Sequence, residues 1–192
     1  PRSTAIDPQA LLTASGQAME KLQSFHFHLY HVVGATSFAS IMLEEVEGNV
    51  VNPDMLEMRF EGTIGNFVVA TELIALGQTS YLLNPLTGMW EEFSAEVNPV
   101  NFFNPQYGID AIMSSITDPT LVGMESGSYL INGNLSSQDL TYIVGPTLKD
   151  GSVSVELSID PKNMYLTCLL YTSDAAHEKR GEDLGGRRII KK

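Results

Sequence analysis

The chain has 192 residues, 43% of them hydrophobic, and its 23 acidic and 11 basic residues give a formal net charge of −12 at pH 7. This length fits one domain with a core of its own, and the sequence contains no run of 18 or more apolar residues that would span a membrane. The acidic balance argues against nucleic acid and anionic lipid surfaces as partners, because both bind clustered Lys and Arg.

The first predicted element is a helix that begins at Asp7-Pro8. Asp7 suits the N-cap, and Pro8 suits the first helical position, where its missing N–H costs nothing. Apolar residues then recur at helical spacing: Leu11, Leu12, Ala14, Ala18, Met19 and Leu22. The helix is predicted to end within residues 21–24.

From Phe25 the apolar period changes to two, which predicts strands. The first strand runs from Phe25 to a break at Gly34, and four others cover residues 40–47, 55–63, 67–76 and 79–83. Gly65-Asn66 is a hairpin turn signal. The pattern predicts an antiparallel meander with one buried and one solvated face.

Residues 77–93 predict a further hairpin, with its second strand at 89–93. Pro85 presets φ for the turn, and Gly88 supplies a position with positive φ. Trp90, the one tryptophan of the chain, directly follows the turn. Taken from its residues alone, this is a structural hairpin with a core tryptophan.

The alternation stops after this hairpin. Residues 96–104 are irregular, 107–116 predict a short helix, and 120–126 with 129–134 predict a hairpin. A second short helix is predicted over 137–144. Strands follow at 153–159 and from 164 to 167.

The C-terminal 25 residues have a different origin in our interpretation. Residues 168–176 and 183–190 back-translate into sequences that resemble two sequencing adapters, in one frame and in the expected order. We therefore predict a natural domain over 1–167, truncated at both ends, and a disordered non-native tail over 168–192. The alternative is a basic tail that binds nucleic acid or an anionic surface. Without the tail the charge is −14 and no cysteine remains.

Two groups of side chains were considered for chemistry. His26, His28 and His31 form a cluster in which the first two share a strand face, but surface or core-edge histidines are favoured over a metal site. Six glutamates could supply catalytic carboxylates: Glu44, Glu45, Glu47, Glu91, Glu92 and Glu96. Nothing in the sequence places two of them in one cleft, so a solvated sheet face is the favoured interpretation. No nucleophile elbow, phosphate loop or dinucleotide fingerprint occurs. We predict neither enzyme activity nor a cofactor.

Several segments, in order and spacing, resemble the LppX/LprA/LprF/LprG family of bacterial lipoproteins. They are Asp7-Pro8 and residues 25–29, 47–60, 72–90, 102–112 and 153–161. The resemblance implies an α+β fold, in which a strongly bent antiparallel sheet forms a half-open β-barrel with helices on its concave face. It also implies a cavity for the acyl chains of a lipid or glycolipid.

The resemblance further implies an extracytoplasmic protein that is tethered by an N-terminal lipid anchor missing from this chain. Such a protein would carry lipid between membrane and cell envelope as a monomer, with a membrane transporter as a possible partner. Alternation selects candidate cavity-lining residues on the predicted inner face of the sheet: Phe25, Phe27, Leu29, Met58, Phe60, Phe67, Val69 and Leu73.

The sequence leaves two alternatives to a lipid carrier. One is a lipoprotein module of similar fold with a filled core, which binds a protein partner and carries no lipid. The other is a hydrolase of envelope lipids, which would need a polar constellation at the cavity mouth. Cavity volume separates a carrier from the module, because a carrier needs a continuous apolar void where the module has interdigitated side chains.

Overall fold

A computed structural model describes residues 6–31, 36–38, 40–93, 108–136, 138–139, 151–173 and 185–191. These residues form two helices and twelve strands. In chain order they are α1 (Pro8–Glu20), β1 (Ser24–His31), β2 (Thr36–Phe38), β3 (Ile41–Val51), β4 (Met55–Ile64), β5 (Phe67–Leu76), β6 (Thr79–Leu83), β7 (Trp90–Phe93), α2 (Ile109–Ser115), β8 (Thr117–Glu125), β9 (Ser128–Ser136), β10 (Ser152–Ile159), β11 (Leu166–Ser173) and β12 (Gly185–Lys191).

The strands form one antiparallel path in the order β7-β6-β5-β4-β3-β1-β12-β11-β10-β9-β8, with β2 added on β3. Strand β12 joins a six-stranded portion, β7 to β1, to a four-stranded portion, β11 to β8. Among the described strands, β7 and β8 end the path and do not pair with each other, so the sheet is not closed into a barrel. The predicted α+β fold with an open antiparallel half-barrel is confirmed.

Side chains alternate between a buried inner face and an exposed outer face, as the period of two predicts. In β4, Leu56, Met58 and Phe60 are buried, whereas the residues between them are exposed. The register continues the inner face across neighbouring strands, since Leu56 lies opposite Val50 of β3 and Ala75 of β5. One continuous apolar surface therefore crosses the strands.

A β-bulge in β3 keeps this surface continuous. The pairing with β4 shifts between Leu43 and Glu45. Before the shift the odd-numbered residues Ile41 and Leu43 face the core. After it the even-numbered residues face the core, namely Val46, Gly48 and Val50. Strict alternation would bury one of the two successive glutamates, Glu44 and Glu45. Because Glu44 is the extra residue of the bulge, both side chains are exposed to solvent.

The two helices cover the inner face over the four-stranded portion. The Asp7 side chain accepts a hydrogen bond from the N–H of Gln9 at 3.0 Å and caps α1, and Pro8 follows as predicted. Helix α1 packs against α2, β8 and β11, and α2 also contacts β9. The helices are in close contact at Gly16, where an added Cβ would lie 3.2 Å from Cγ of Asp110. No helix in the described part of the chain has the length and apolarity needed to cross a membrane.

Several predictions about local structure were wrong. Strand β3 continues through Gly48 to Val51, and β2 was not predicted. Trp90 is 45% exposed on the edge strand β7 and is not a core residue. The segments 96–104 and, apart from residues 138–139, 137–144 lie outside the described residues.

The tail beyond residue 167 is not disordered throughout. Strand β11 runs past the predicted domain boundary, and its residues Leu169 and Tyr171 are buried. Residues 185–191 form β12, which pairs on both sides. Disorder is therefore the wrong prediction for 168–173 and 185–191, while the origin of the tail stays a prediction.

Replacing Gly48 with alanine tests the close packing of the inner face. An added Cβ would meet the carbonyl oxygen of Glu57, and it would lie 2.8 Å from Cζ of Phe27 and 2.9 Å from Cβ of Met58. We expect Gly48→Ala to lower the free energy of unfolding by about 1–3 kcal/mol, because the backbone itself must shift. Urea unfolding would measure the loss. The exposed neighbour Glu47→Ala, as the control, should change stability by less than about 0.5 kcal/mol, and equal midpoints for the two variants would contradict the packing.

Replacing Ser15 of α1 with alanine is expected to stabilise the protein. The serine side chain is fully buried, and its Oγ has no hydrogen-bond partner among the described residues. A buried hydroxyl without a partner is destabilising, and alanine is the better helix former. We expect Ser15→Ala to raise the free energy of unfolding by about 1 kcal/mol, measured by the same urea titration. Destabilisation instead would show that the hydroxyl makes a stabilising hydrogen bond in solution.

Candidate functional site

The candidate site is the inner face of the six-stranded portion. Of the residues predicted to line a cavity, five are buried in one hydrophobic cluster: Phe25, Phe27, Met58, Phe60 and Leu73. Leu29 and Val69 are half-buried and pack against that cluster. The structure therefore brings seven of the eight predicted residues together on one apolar surface. That they contact a lipid stays a prediction.

The strand register explains why residues distant in sequence meet here. Phe27 of β1 lies opposite Gly48, which lies opposite Met58, then Leu73, then Leu82 of β6. This row crosses five strands without a charged residue. Because Gly48 has no side chain, the ring of Phe27 can pack over it. The row is an uninterrupted apolar band across the sheet.

The polar groups on the buried surface are few and uncharged. Among the described residues, the buried polar ones are Ser15, Thr71 and Ser80. The hydroxyl of Thr71 donates a hydrogen bond to the carbonyl oxygen of Leu83, so it is satisfied within the protein. A surface of this composition is suited to contact with apolar groups, because such contact excludes water from both.

Phe67 is the exception among the predicted lining residues. Its alternation with Val69 and Leu73 places it on the inner-face register of β5, but its side chain is 76% exposed. It lies at the first position of β5, beside the turn at Gly65-Asn66 and beyond the part of the strand that the core covers. Phe67 does not line an enclosed cavity with the other seven residues.

The outer face is polar, and the histidines lie on it. Nδ1 of His26 is 3.0 Å from Oδ1 of Asn49, and Nε2 of His28 is 2.6 Å from Oε1 of Glu45. The half-buried rings of His26 and His28 thus each have their own side-chain partner, as expected for core-edge histidines. In the described part of the chain, no three His, Cys, Asp or Glu side chains are placed to hold a metal ion. The side chain of His31 is outside the description.

Glutamates surround Arg59 on this outer face. Arg59 donates hydrogen bonds to Oε1 of Glu72 from Nε at 3.2 Å and from Nη2 at 2.6 Å. The hydrogen bond and charge of Glu72 raise the pKa of Arg59 above its ordinary value, and Glu47 and Glu57 add to this. These residues line a surface hollow of about 170 Å³.

The carboxylates form a solvated face, as predicted for the exposed residues Glu44, Glu45, Glu47, Glu91 and Glu92, and Glu96 lies outside the description.

A second hollow, of about 300 Å³, lies over the outer face of the four-stranded portion. Among its lining residues are Glu125, Ser128, Glu156 and Thr167. Its mixed polar lining contrasts with the buried inner face. Leu130 and Leu170 also line it, so its lining is mixed, whereas mostly charged and polar residues line the first hollow.

The predicted residue list missed the contribution of the C-terminal half. Ile131, Leu157 and Ile159 are fully buried and belong to the same hydrophobic cluster, together with Met113 of α2. The alternation over 153–159 contains the signal for the two β10 residues. The alternation predicts this strand, but its register against the first half depends on the complete sheet order.

Comparison with known proteins identifies the family. The model of the LppX_LprAFG lipoprotein family matches residues 7–177. The structure is similar to the crystal structure of LprF from Mycobacterium bovis, with a TM-score of 0.71 and 18% identity over 96% of this chain and 91% of that chain. It is also similar to lipoprotein LppX from Mycobacterium tuberculosis, with a TM-score of 0.62 and 14% identity over 95% and 91% of the two chains.

Comparison with curated protein sequences gives no match. The structural similarities, at this level of identity, establish a shared fold. The family match covers most of the chain, including both helices and the strands from β1 to β11. The chain therefore belongs to the LppX/LprA/LprF/LprG family of lipoproteins.

Proposed function

We propose that this protein binds the acyl chains of a lipid or glycolipid on its inner face and carries them between membrane and cell envelope. The observation that carries the proposal is the uncharged apolar band from Phe27 to Leu82 on a sheet that does not close. Membership of a lipoprotein family supports it. The protein acts as a binder and carrier and not as an enzyme.

The physical basis of such binding is the transfer of methylene groups out of water. Each buried CH₂ contributes about 0.8 kcal/mol, so the affinity for a long chain needs no specific polar contact. Half-buried inner-face residues such as Leu29, Val46 and Val69 are the positions where an acyl chain would replace solvent. Carriage then consists of extraction, shielding of the chains by the sheet and helices, and release at a second membrane or carrier.

Membership of a lipoprotein family supports an extracytoplasmic, membrane-anchored position. As a lipoprotein, the mature protein would be held at the outer side of the membrane by an N-terminal lipid anchor and would work as a monomer. A membrane transporter is the partner that would supply or receive the lipid. Attachment through a covalent lipid anchor needs no basic protein surface, which agrees with the acidic composition.

The alternative is a protein-interaction module with the same fold. Close packing of the inner face favours it, since Phe27, Phe60 and Leu73 are at most 1% exposed. An interior already filled by side chains would leave no volume for cargo. The two functions therefore differ in whether lipid is present in the purified protein.

The first test is organic extraction of the purified soluble domain, followed by lipid mass spectrometry. We expect acyl lipid at a stoichiometry close to one per protein, because a bound chain shielded from water dissociates slowly. The same protein, delipidated, should take up a fluorescent fatty acid from solution. A clean spectrum together with no uptake would overturn the carrier proposal and favour the interaction module.

A matched pair of variants locates the binding surface. Val69 is half-buried on the inner face of β5, and its neighbour Ala70 is exposed on the outer face. We expect Val69→Trp to occupy the space of an acyl chain and reduce uptake at least about tenfold, whereas Ala70→Trp leaves uptake unchanged. Fluorescent fatty-acid titration measures both, with urea midpoints to confirm folding. Equal uptake by the two folded variants would exclude this part of the inner face.

A further inference from the structure

The hairpin between β4 and β5 ends in an exposed apolar tip. Gly65, with φ +59°, allows the tight turn, and the strand that follows begins with Phe67 and Val68. Their side chains are 76% and 82% exposed. As successive residues of a strand, Phe67 and Val68 face opposite sides of the sheet, so the end of this hairpin is apolar on both faces. Exposed apolar patches of this kind mark contact surfaces.

The tip is also electrically neutral in a strongly acidic chain. Residues 62–71 contain no charged side chain, and they are flanked by Glu61 and Glu72. With a net charge of −12, the rest of the protein is repelled by anionic surfaces. The tip is therefore a part of the described surface that can approach a lipid headgroup layer without this penalty.

The exposed tip continues directly into the candidate binding face. Along the inner register of β5, exposure falls from 76% at Phe67 through half-buried Val69 to 2% at Thr71 and 0% at Leu73. Neighbouring β4 shows the same trend from half-buried Ile64 to buried Phe60. A chain that leaves a membrane at the tip would meet no charged side chain along this path inward.

We propose that the β4–β5 tip docks into the surface of a lipid bilayer, with Phe67 and Val68 entering the interfacial layer. This inference rests on the proposed carrier function and names the point at which the carrier meets its donor or acceptor membrane. Neutrality and continuity with the inner face favour a bilayer as the occupant. Aromatic and aliphatic side chains partition into this layer through buried apolar area.

The single native tryptophan makes a direct test possible. Trp90→Phe removes it, and Val68→Trp then places a lone fluorophore at the tip. On addition of phosphatidylcholine vesicles we expect a blue shift of its emission and quenching by brominated lipid. The matched control is Val122→Trp in the same background, at a position on β8 that is 57% exposed. Unchanged emission at the tip, or equal shifts at both positions, would overturn the proposal.

A loss-of-docking variant separates this inference from the carrier function. We expect Phe67→Ser with Val68→Ser to weaken vesicle binding at least about tenfold, while uptake of a fluorescent fatty acid from solution is unchanged. Val122→Ser with Met124→Ser, which also removes two exposed apolar side chains, should leave vesicle binding as it is. Vesicles that contain phosphatidylglycerol should bind the parent less well at low salt, since the protein is acidic.

The outcomes distinguish the two failures. If the parent takes up no fatty acid from solution but its tip enters vesicles, the carrier function fails and the docking surface stands. If uptake occurs and the tip variant binds vesicles like the parent, docking at this hairpin is wrong. Dimers of the parent that dissociate in the tip variant, seen by gel filtration, would assign the tip to a second copy of the chain and would also overturn the proposal.

Discussion

The fold depends on the covering of a one-sided apolar sheet that does not close on itself. A closed barrel buries its inner face against itself, but here β7 and β8 remain apart and the inner face needs other partners. Helices α1 and α2 meet this need over β8, β9 and β11. The same constraint explains the proposed function, because an open apolar surface that helices cover in part is suited to a bound acyl chain.

Much of this architecture follows from the period of two in the sequence. Strands β4, β5 and β6 were predicted to within one residue, because alternation and the turn at Gly65-Asn66 are local signals. The Asp7-Pro8 cap likewise determines where α1 begins. The alternation also selected seven residues that share one cluster, since the side of a strand on which a residue lies depends only on its parity until a bulge intervenes.

The predictions that failed depend on contacts between distant parts of the chain. Gly48 reads as a strand end, yet it continues β3 because the ring of Phe27 occupies the space above it. Trp90 reads as a core residue by its type and Phe67 as a lining residue by alternation, but Trp90 lies on an edge strand and Phe67 beyond the covered part of β5. Burial at the end of a strand is decided by what packs over it, and a local pattern contains no information about that.

Strand β12 shows how little a backbone ladder requires of a sequence. It pairs with β1 and β11 through groups that every residue supplies, yet Arg188 occupies the register position opposite Leu29 and Leu169. The origin of this part of the tail stays a prediction. The proposed lipid-binding residues lie on β1, β4 and β5, so the proposal does not rest on the side chains of β12.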